Sequence, residues 1–510
     1  MTTQFASVSR AHSIYRNRGT DRTVGQVAYA VYIAILTALL VAAPVVTTLV
    51  STAVRPESLQ VLRNPASSQI VSACGVILLI LLFFAGMVRG PALRPPFQTF
   101  ALAGSSIDRS ISMLQPFLRA SLVLTGTLSA IAGFFASVFL ISGTSTPARV
   151  FCFVVAVSLW GIIGSCVWLA GQSATGQWRW FVPAFLTVGG VASWTVPSAN
   201  SVLPWGWLGS TWPPSGESGT LEPILLGFLA AALSALTPAL LRLLRTGSLM
   251  EQSERWQSAG ISTAAGEFST ALAVFRAKPR HGRRWTAVMD LPELPRFLIR
   301  DGVGALRTPG RFLIGSMGVF VGVILVLFAV GSRSEVAWLP AAAGSVAVFF
   351  SLGVFSDGFR HAAESIAAPP IYGYSPFRMY ALHSAFPVTW SMVCAGAACA
   401  AVTVIGGSEF NFAGLASLEV VLLTLIGIRI YDSARGPLPP VLLTPIPTPF
   451  GDLSSLVILT WQLDAILLSA GSAGLLAGAL STGTVIQSVL TAAISLGLLG
   501  WLTKRRLERL

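Results

Sequence analysis

QIVSACGVILLILLFFAGMVRGPALRPP, residues 69–96, runs apolar for about twenty positions and then turns abruptly into arginine, glycine and proline. Twenty residues at helical rise match the roughly 30 Å of a bilayer's hydrocarbon core. A helix is the expected spanning element, because backbone groups in lipid must be satisfied within the segment. The RGP at 89–91 stops that helix at once, since proline cannot continue it and restricts the residue before it. The same RGP recurs at 435–437, again after an apolar run.

The pattern repeats along the chain. Spans are expected at 26–50, 69–88, 120–142, 149–171, 180–197, 222–243, 312–331, 336–355, 386–406, 412–431, 454–477 and 482–502. The composition agrees: 54% of the 510 residues are hydrophobic and only 10% are charged, against about 25% charge in soluble domains. The ten-residue alternation of a membrane β-barrel is not seen. The fold expected is all-α, a polytopic integral membrane protein. The first 24 residues are polar and carry Arg10, Arg16, Arg18 and Arg22. The apolar run behind them exceeds a signal-peptide core, so an uncleaved first span is expected.

Charge sets the orientation. With twelve crossings, 29 of the 33 basic residues fall in one set of alternating segments. The other set holds Arg55, Arg63, Arg149 and Arg333. The positive-inside rule then puts both termini in the cytoplasm. The net charge of +13 follows from this bias, and no nucleic-acid partner is expected. Arginine supplies all of the positive charge except Lys278 and Lys504, a bias associated with GC-rich bacterial genomes, so a bacterial plasma membrane is the expected location.

Five parts follow: a cytoplasmic start (1–25), a six-helix half (26–243), a basic linker (244–311), a second six-helix half (312–502) and a basic tail (503–510). In the linker, Ile261, Ala265, Phe268, Leu272 and Phe275 fall on one face of a helix, and 292–311 reads as a second interfacial helix. In each half the loop after the second span, 89–119 or 356–385, is cytoplasmic and proline-broken. In the first of these, Ser105 or Ser106 is expected to cap a short helix carrying Ile107, Ile111, Leu114 and Leu118. Such a helix could dock on a partner or rest on the membrane. The loop 198–221 lacks Lys and Arg and holds Trp205, Trp207 and Trp212. An external interfacial belt is expected there, with a binding cap as the alternative.

Chemistry-bearing motifs are few. Neither lysine sits behind a glycine-rich turn as a P-loop requires, so no catalytic or cofactor role is expected. His12, His281, His361 and His383 are scattered, without metal-ligand spacing. Cys74, Cys152, Cys166, Cys394 and Cys399 lie in spans and read as small packing residues. Glu419 and Asp464, the latter beside Gln462, fall within spans, where a carboxylate is costly and should face the bundle interior or an aqueous path. They read either as a proton or substrate relay or as hydrogen-bonded groups joining helices.

The chain resembles the permease subunits of bacterial ABC exporters, particularly the twelve-span permeases of actinobacteria. The resemblance rests on the arginine-rich start, the Gly-Pro loop at 90–96 with Ser-Ile-Asp-Arg at 106–109, RDGVGALRTPGRFLIG (300–315) and TPIPTPFGDLSSLVILTWQLDAILL (444–468). It implies a pathway formed by the two halves and ATP hydrolysed on separate ATPase subunits, two of which would suffice. It implies export of a hydrophobic or amphipathic substrate more than import. Docking would fall on the two cytoplasmic loops, with Ser106, Asp108, Arg109, Arg360, Glu364 and Arg378 as candidate contacts. The competing readings are a proton-coupled secondary transporter or lipid flippase using Glu419 and Asp464, or a structural membrane subunit. A homo-oligomer is left open.

Overall fold

Proline opens many of the helices. Its fixed φ suits the first helical position, and its missing N–H costs nothing there. In the computed structural model, Pro56, Pro96, Pro147, Pro204, Pro309 and Pro376 each occupy that place. The structure describes residues 24–37, 39–40, 43–215, 221–264, 271, 274–275, 281–282, 284–332, 338–365, 373–406, 412–436, 438–444, 447–448, 451–452, 454–481 and 485–507. Of the amphipathic face expected in the linker, Ala265, Phe268 and Leu272 lie outside these residues, as does the N-terminal arginine segment.

The chain divides into two compact units, Met1–Ile261 and Ser262–Leu510. The first holds α1 (Val24–Thr37), α2 (Ala43–Ala53), α3 (Pro56–Leu62), α4 (Ala66–Val88), α5 (Pro96–Ala103), α6 (Arg109–Ser112), α7 (Leu114–Ile141), α8 (Pro147–Ser173), α9 (Trp178–Thr195), α10 (Pro204–Ser210), α11 (Leu221–Arg242) and α12 (Thr246–Ala264). The second holds α13 (Glu293–Leu306), α14 (Pro309–Ser332), α15 (Trp338–Leu352), α16 (Asp357–Ser365), α17 (Pro376–Gly406), α18 (Phe412–Ser433), α19 (Ser454–Ser481) and α20 (Val485–Leu507). A two-residue antiparallel pair, Pro447–Thr448 with Gly451–Asp452, lies before α19.

Six of these helices are long and apolar enough to cross a membrane: α4, α7, α8, α11, α14 and α17. The α15–α16 pair, bent by 62°, would make a seventh. The chain is thus a helical protein of the multi-pass membrane type. Helices also lie within the other expected spans, the first of which, 26–50, holds two, α1 and α2; α17 begins at Pro376, ten residues before the apolar stretch that predicted it.

Packing recurs between the units. In the first, α7 packs on α8, α4 on α8, α8 on α11 and α4 on α9. In the second, the helices in the same order make the same pairs: α17 with α18, α15 with α18, α18 with α20 and α15 with α19. Small residues permit the close crossings, as is usual between membrane helices. A Cβ on Gly86 or Gly171 would strike the facing backbone where α4 crosses α8, and one on Gly322 or Gly344 would do so between α14 and α15. The α7–α8 turn closes at Gly143, whose φ of 62° is open to glycine without strain. There Thr144 N–H donates to Phe139 O at 3.1 Å and Gly143 N–H to Leu140 O at 3.2 Å, the paired bonds of a Schellman cap.

The tryptophan-rich stretch departs from the expected belt. Trp205 is 2% exposed and Trp212 is 5% exposed. The Trp205 indole donates to Ser193 Oγ at 2.5 Å. Trp212 donates to Leu62 O at 2.9 Å and meets Phe135, Phe139 and Phe153 edge-on, with ring centres 5.0–5.4 Å apart. An interfacial belt would leave these rings half in water. Instead α10 is a cap: Trp205 fills the interior between α4, α8 and α11, and Trp212, just past its end, sits against α7 and α8.

Candidate functional site

The loop leaving α4, expected as a proline-broken connection, is buried and bonded over its first residues. Arg89 lies over the Trp256 ring, 3.5 Å from its centre. Beyond it Gly90, Pro91 and Ala92 are covered. Covered backbone groups must find partners, and two glutamines supply them. Gln252 of α12 accepts from Gly90 N–H at 3.3 Å and from Gln172 Nε2 at 3.1 Å. Its own amide donates to Gly86 O and Met87 O, both at 3.3 Å. Gln172 of α8 accepts from Ala92 N–H at 3.1 Å. Ser253 and Thr99 both donate to Arg94 O, at 2.6 and 2.8 Å. Arg94 reaches across to Gln98 at 3.3 Å and Gln115 at 2.8 Å. Burial, aided by the Arg119 charge, pulls its guanidinium down to about 10, so it remains charged at neutral pH.

The next turn joins this loop to α11. Asp108, not Ser105 or Ser106, caps the short helix, accepting from Ser110 N–H at 2.9 Å. A carboxylate satisfies an orphan N–H as a hydroxyl would and adds favourable charge at the helix start. Asp108 also pairs with Arg242 at 2.9 Å. Hydrogen bonds from Arg242, then from Ser110, hold its carboxyl down at about 2. Arg109 donates to Leu244 O and, at 2.7 Å, to Thr246 Oγ1. Ser106 is exposed on the bend before them. Two of the three contacts expected on this loop therefore tie it to the end of α11 and the start of α12.

The second unit fastens the corresponding region with charge. Arg311 at the start of α14 grips Asp357 at 2.6 and 3.1 Å and Gly353 O at 2.9 Å. That clamp lies at the bend between α15 and α16. On the exposed side of α16, Arg360 pairs with Glu364 at 2.6 Å. Arg378 of α17 pairs with Glu293 of α13 at 2.7 Å, and Tyr374 adds a bond at 3.2 Å. The Arg378 contact holds the Glu293 carboxyl below the usual range. Deeper, His383 Nδ1 lies 2.6 Å from Asp301 Oδ2 with the His383 side chain fully covered.

Asp464 and Glu419 are not brought together. Asp464 is bound by Arg435 and Arg506 and accepts from Tyr431 OH at 3.0 Å. Arg435 also pairs with Asp432 at 2.7 Å and donates to Gln462 O at 2.6 Å. Arg429 continues the ladder to Asp432 at 3.4 Å. The three arginines and two aspartates bind α18, α19 and α20 at one end. Glu419 lies twelve residues before Tyr431 on α18, roughly 18 Å away at helical rise. Among the described residues Glu419 makes no ion pair. The described residues do not place the two carboxylates within direct reach of each other.

Gln172, Gln252 and the Asp301–His383 pair were not singled out from sequence. Gln172 had one legible signal, a lone amide ending an otherwise apolar span; Gln252 and Asp301 lie in polar stretches where nothing marks them. The five cysteines are all free, and Cys166, Cys394 and Cys399 are buried. Comparison with known protein families, with curated proteins and with solved structures gives no match.

Proposed function

We propose that this chain is the permease subunit of an ABC-type exporter in a bacterial plasma membrane. It crosses the bilayer twelve times as six plus six, keeps both termini inside, and moves a hydrophobic or amphipathic substrate using ATP hydrolysed on two separate ATPase subunits. The observation that carries this reading is the bonding of the loop 89–113 to a membrane helix. Asp108 holds Arg242, and Arg109 holds Leu244 and Thr246. A force applied to such a loop from the cytoplasm is delivered to the end of α11 instead of being dissipated in coil. The recurring helix pairs of the two units support a duplicated architecture, and the 29-to-4 division of basic residues supports the orientation.

The test is purification of the full chain from its native membrane in mild detergent. The expected result is co-elution of a P-loop ATPase whose hydrolysis is altered by Arg360→Ala combined with Glu364→Ala, a half-exposed and an exposed residue of α16. Recovery of only non-ATPase partners would sink the proposal. For the proton-coupled alternative, Glu419→Gln would have to abolish transport and transport would have to stop when the proton gradient is collapsed. The paired state of Asp464 weighs against it.

A further inference from the structure

Helix α5 is built inside out. Thr99 and Ala103, one turn apart, are buried, and the Thr99 hydroxyl is used in a hydrogen bond to Arg94 O. On the opposite side Phe97 is 70% exposed and Phe100 is 65% exposed, with Ala101 and Gly104 beside them. At 100° per residue these four occupy one face, about 150° away from Thr99. A helix in water presents its hydroxyl and hides its aromatic rings. This one does the reverse, as a helix does when its outer solvent is lipid.

Its depth is also set. Arg94 bridges Gln98 of α5 to Gln115 in the first turn of α7. That turn is where α7 becomes apolar on its outer side: Leu118, Leu122 and Val123 are all exposed, Leu122 by 72%. Arg119 stands in the same turn, exposed beside Leu118, at the level a headgroup phosphate would occupy. Arg94 thus ties α5 to the end of α7 at which that helix's outward apolar residues begin.

We propose that α5 lies in the membrane interface, with Phe97 and Phe100 inserted among the outermost acyl carbons and Arg119 at the headgroups. The loop 89–113 then offers a cytoplasmic partner only its second part, from Ser105 onward. This holds whatever partner the loop meets, so it stands or falls apart from the exporter reading.

The experiment places an environment-sensitive fluorophore on single cysteines at Phe97→Cys, Phe100→Cys and Ala101→Cys. The full chain, with its five native cysteines replaced, is reconstituted in vesicles of mixed zwitterionic and anionic lipid. Val123→Cys serves as the lipid reference and Ser105→Cys as the aqueous one. Positions 97, 100 and 101 should be quenched by lipid carrying a nitroxide near the headgroup about twofold or more above position 105, and should be shielded from aqueous iodide. Ala101→Cys keeps both rings, so a folding defect in the phenylalanine variants leaves the outcome readable. Iodide quenching at all three positions that matches position 105 would overturn the proposal. So would iodide quenching in the chain alone that disappears when a cytoplasmic protein is added, because α5 would then be a protein-docking face.

Discussion

Both units fasten the polar segment that follows an apolar helix, and they do it with different chemistry. In the first, Gln172, Gln252, Ser253 and Thr99 hold residues 86–94 with neutral hydrogen bonds in a covered site. In the second, Arg311–Asp357 and Arg378–Glu293 do the work, and the ladder from Arg429 to Arg506 closes the same unit. Neutral amides are insensitive to salt and have no titration near neutral pH. Ion pairs are longer in reach, and each partner left alone is a liability. Residues 86–94 are therefore expected to behave as a fixed part, whereas the second unit's segment, like the Asp108–Arg242 pair farther along the first loop, yields to ionic conditions or to a competing charge.

The largest effect expected is at Asp464. Replacing it with alanine leaves Arg435 and Arg506 facing each other without their shared carboxylate, and breaking a largely buried pair costs about 3–5 kcal/mol. Thermal unfolding in detergent should show unit 2 destabilised, while protease resistance of the first loop is unchanged. Equal loss in both regions would erase the contrast. Next in size is Gln252→Ala, which orphans the Gly90 N–H and one arm of Gln172, each covered group costing about 1–3 kcal/mol when unpaired. Hydrogen exchange at Gly90 should accelerate, and proteolysis between 89 and 96 should appear, by the same amount in low and high salt.

A smaller difference should come from salt itself. Between about 0.1 and 1 M the screening length falls from roughly 10 to 3 Å. Exchange at the start of α17, held by the half-exposed Arg378–Glu293 pair, should rise over that range, and exchange at Gly90 and Ala92 should not. The smallest effect concerns pH. Asp108 is depressed to about 2, so its contribution is complete above its unfolded value near 4 and is lost as pH falls through about 2. Exchange of the Ser110 amide, corrected for its intrinsic pH dependence, should stay flat from pH 8 to about 5 and rise only below about 4. A transition between pH 5 and 7 would show that another group governs the cap.

The long apolar helices were legible because a twenty-residue run such as 69–88 has few other uses. The arginines and prolines around them gave the helix ends and the short helices between the long ones. What was not legible depends on partners far apart in the chain. Gln252 meets Gly90 across 162 residues, and Asp464 is neutralised by residues 29 and 42 positions away. No local pattern encodes either meeting. Read along the chain, Asp464 stood in a span without a cation; in space two arginines from neighbouring helix ends reach it. The tryptophans of 205–212 misled for the same reason. Their composition is that of a membrane belt; Trp212 is turned inward by Phe135, Phe139 and Phe153, and Trp205 by the residues of α4, α8 and α11.

The α10 cap limits how this sequence can drift. At Gly206 an added Cβ would strike the backbone of Asn200, and at Gly209 that of Ser68, while Trp205 and Trp212 are walled in by their neighbours. Substitution can accumulate on the outward positions such as Ser201 and Val202, but the WGWLGSTW register has no slack for insertion or enlargement. Sequence variation on that surface of the first unit must therefore be carried by the flanks of the cap, and a random-mutagenesis library should return tolerated changes there and almost none at the two glycines.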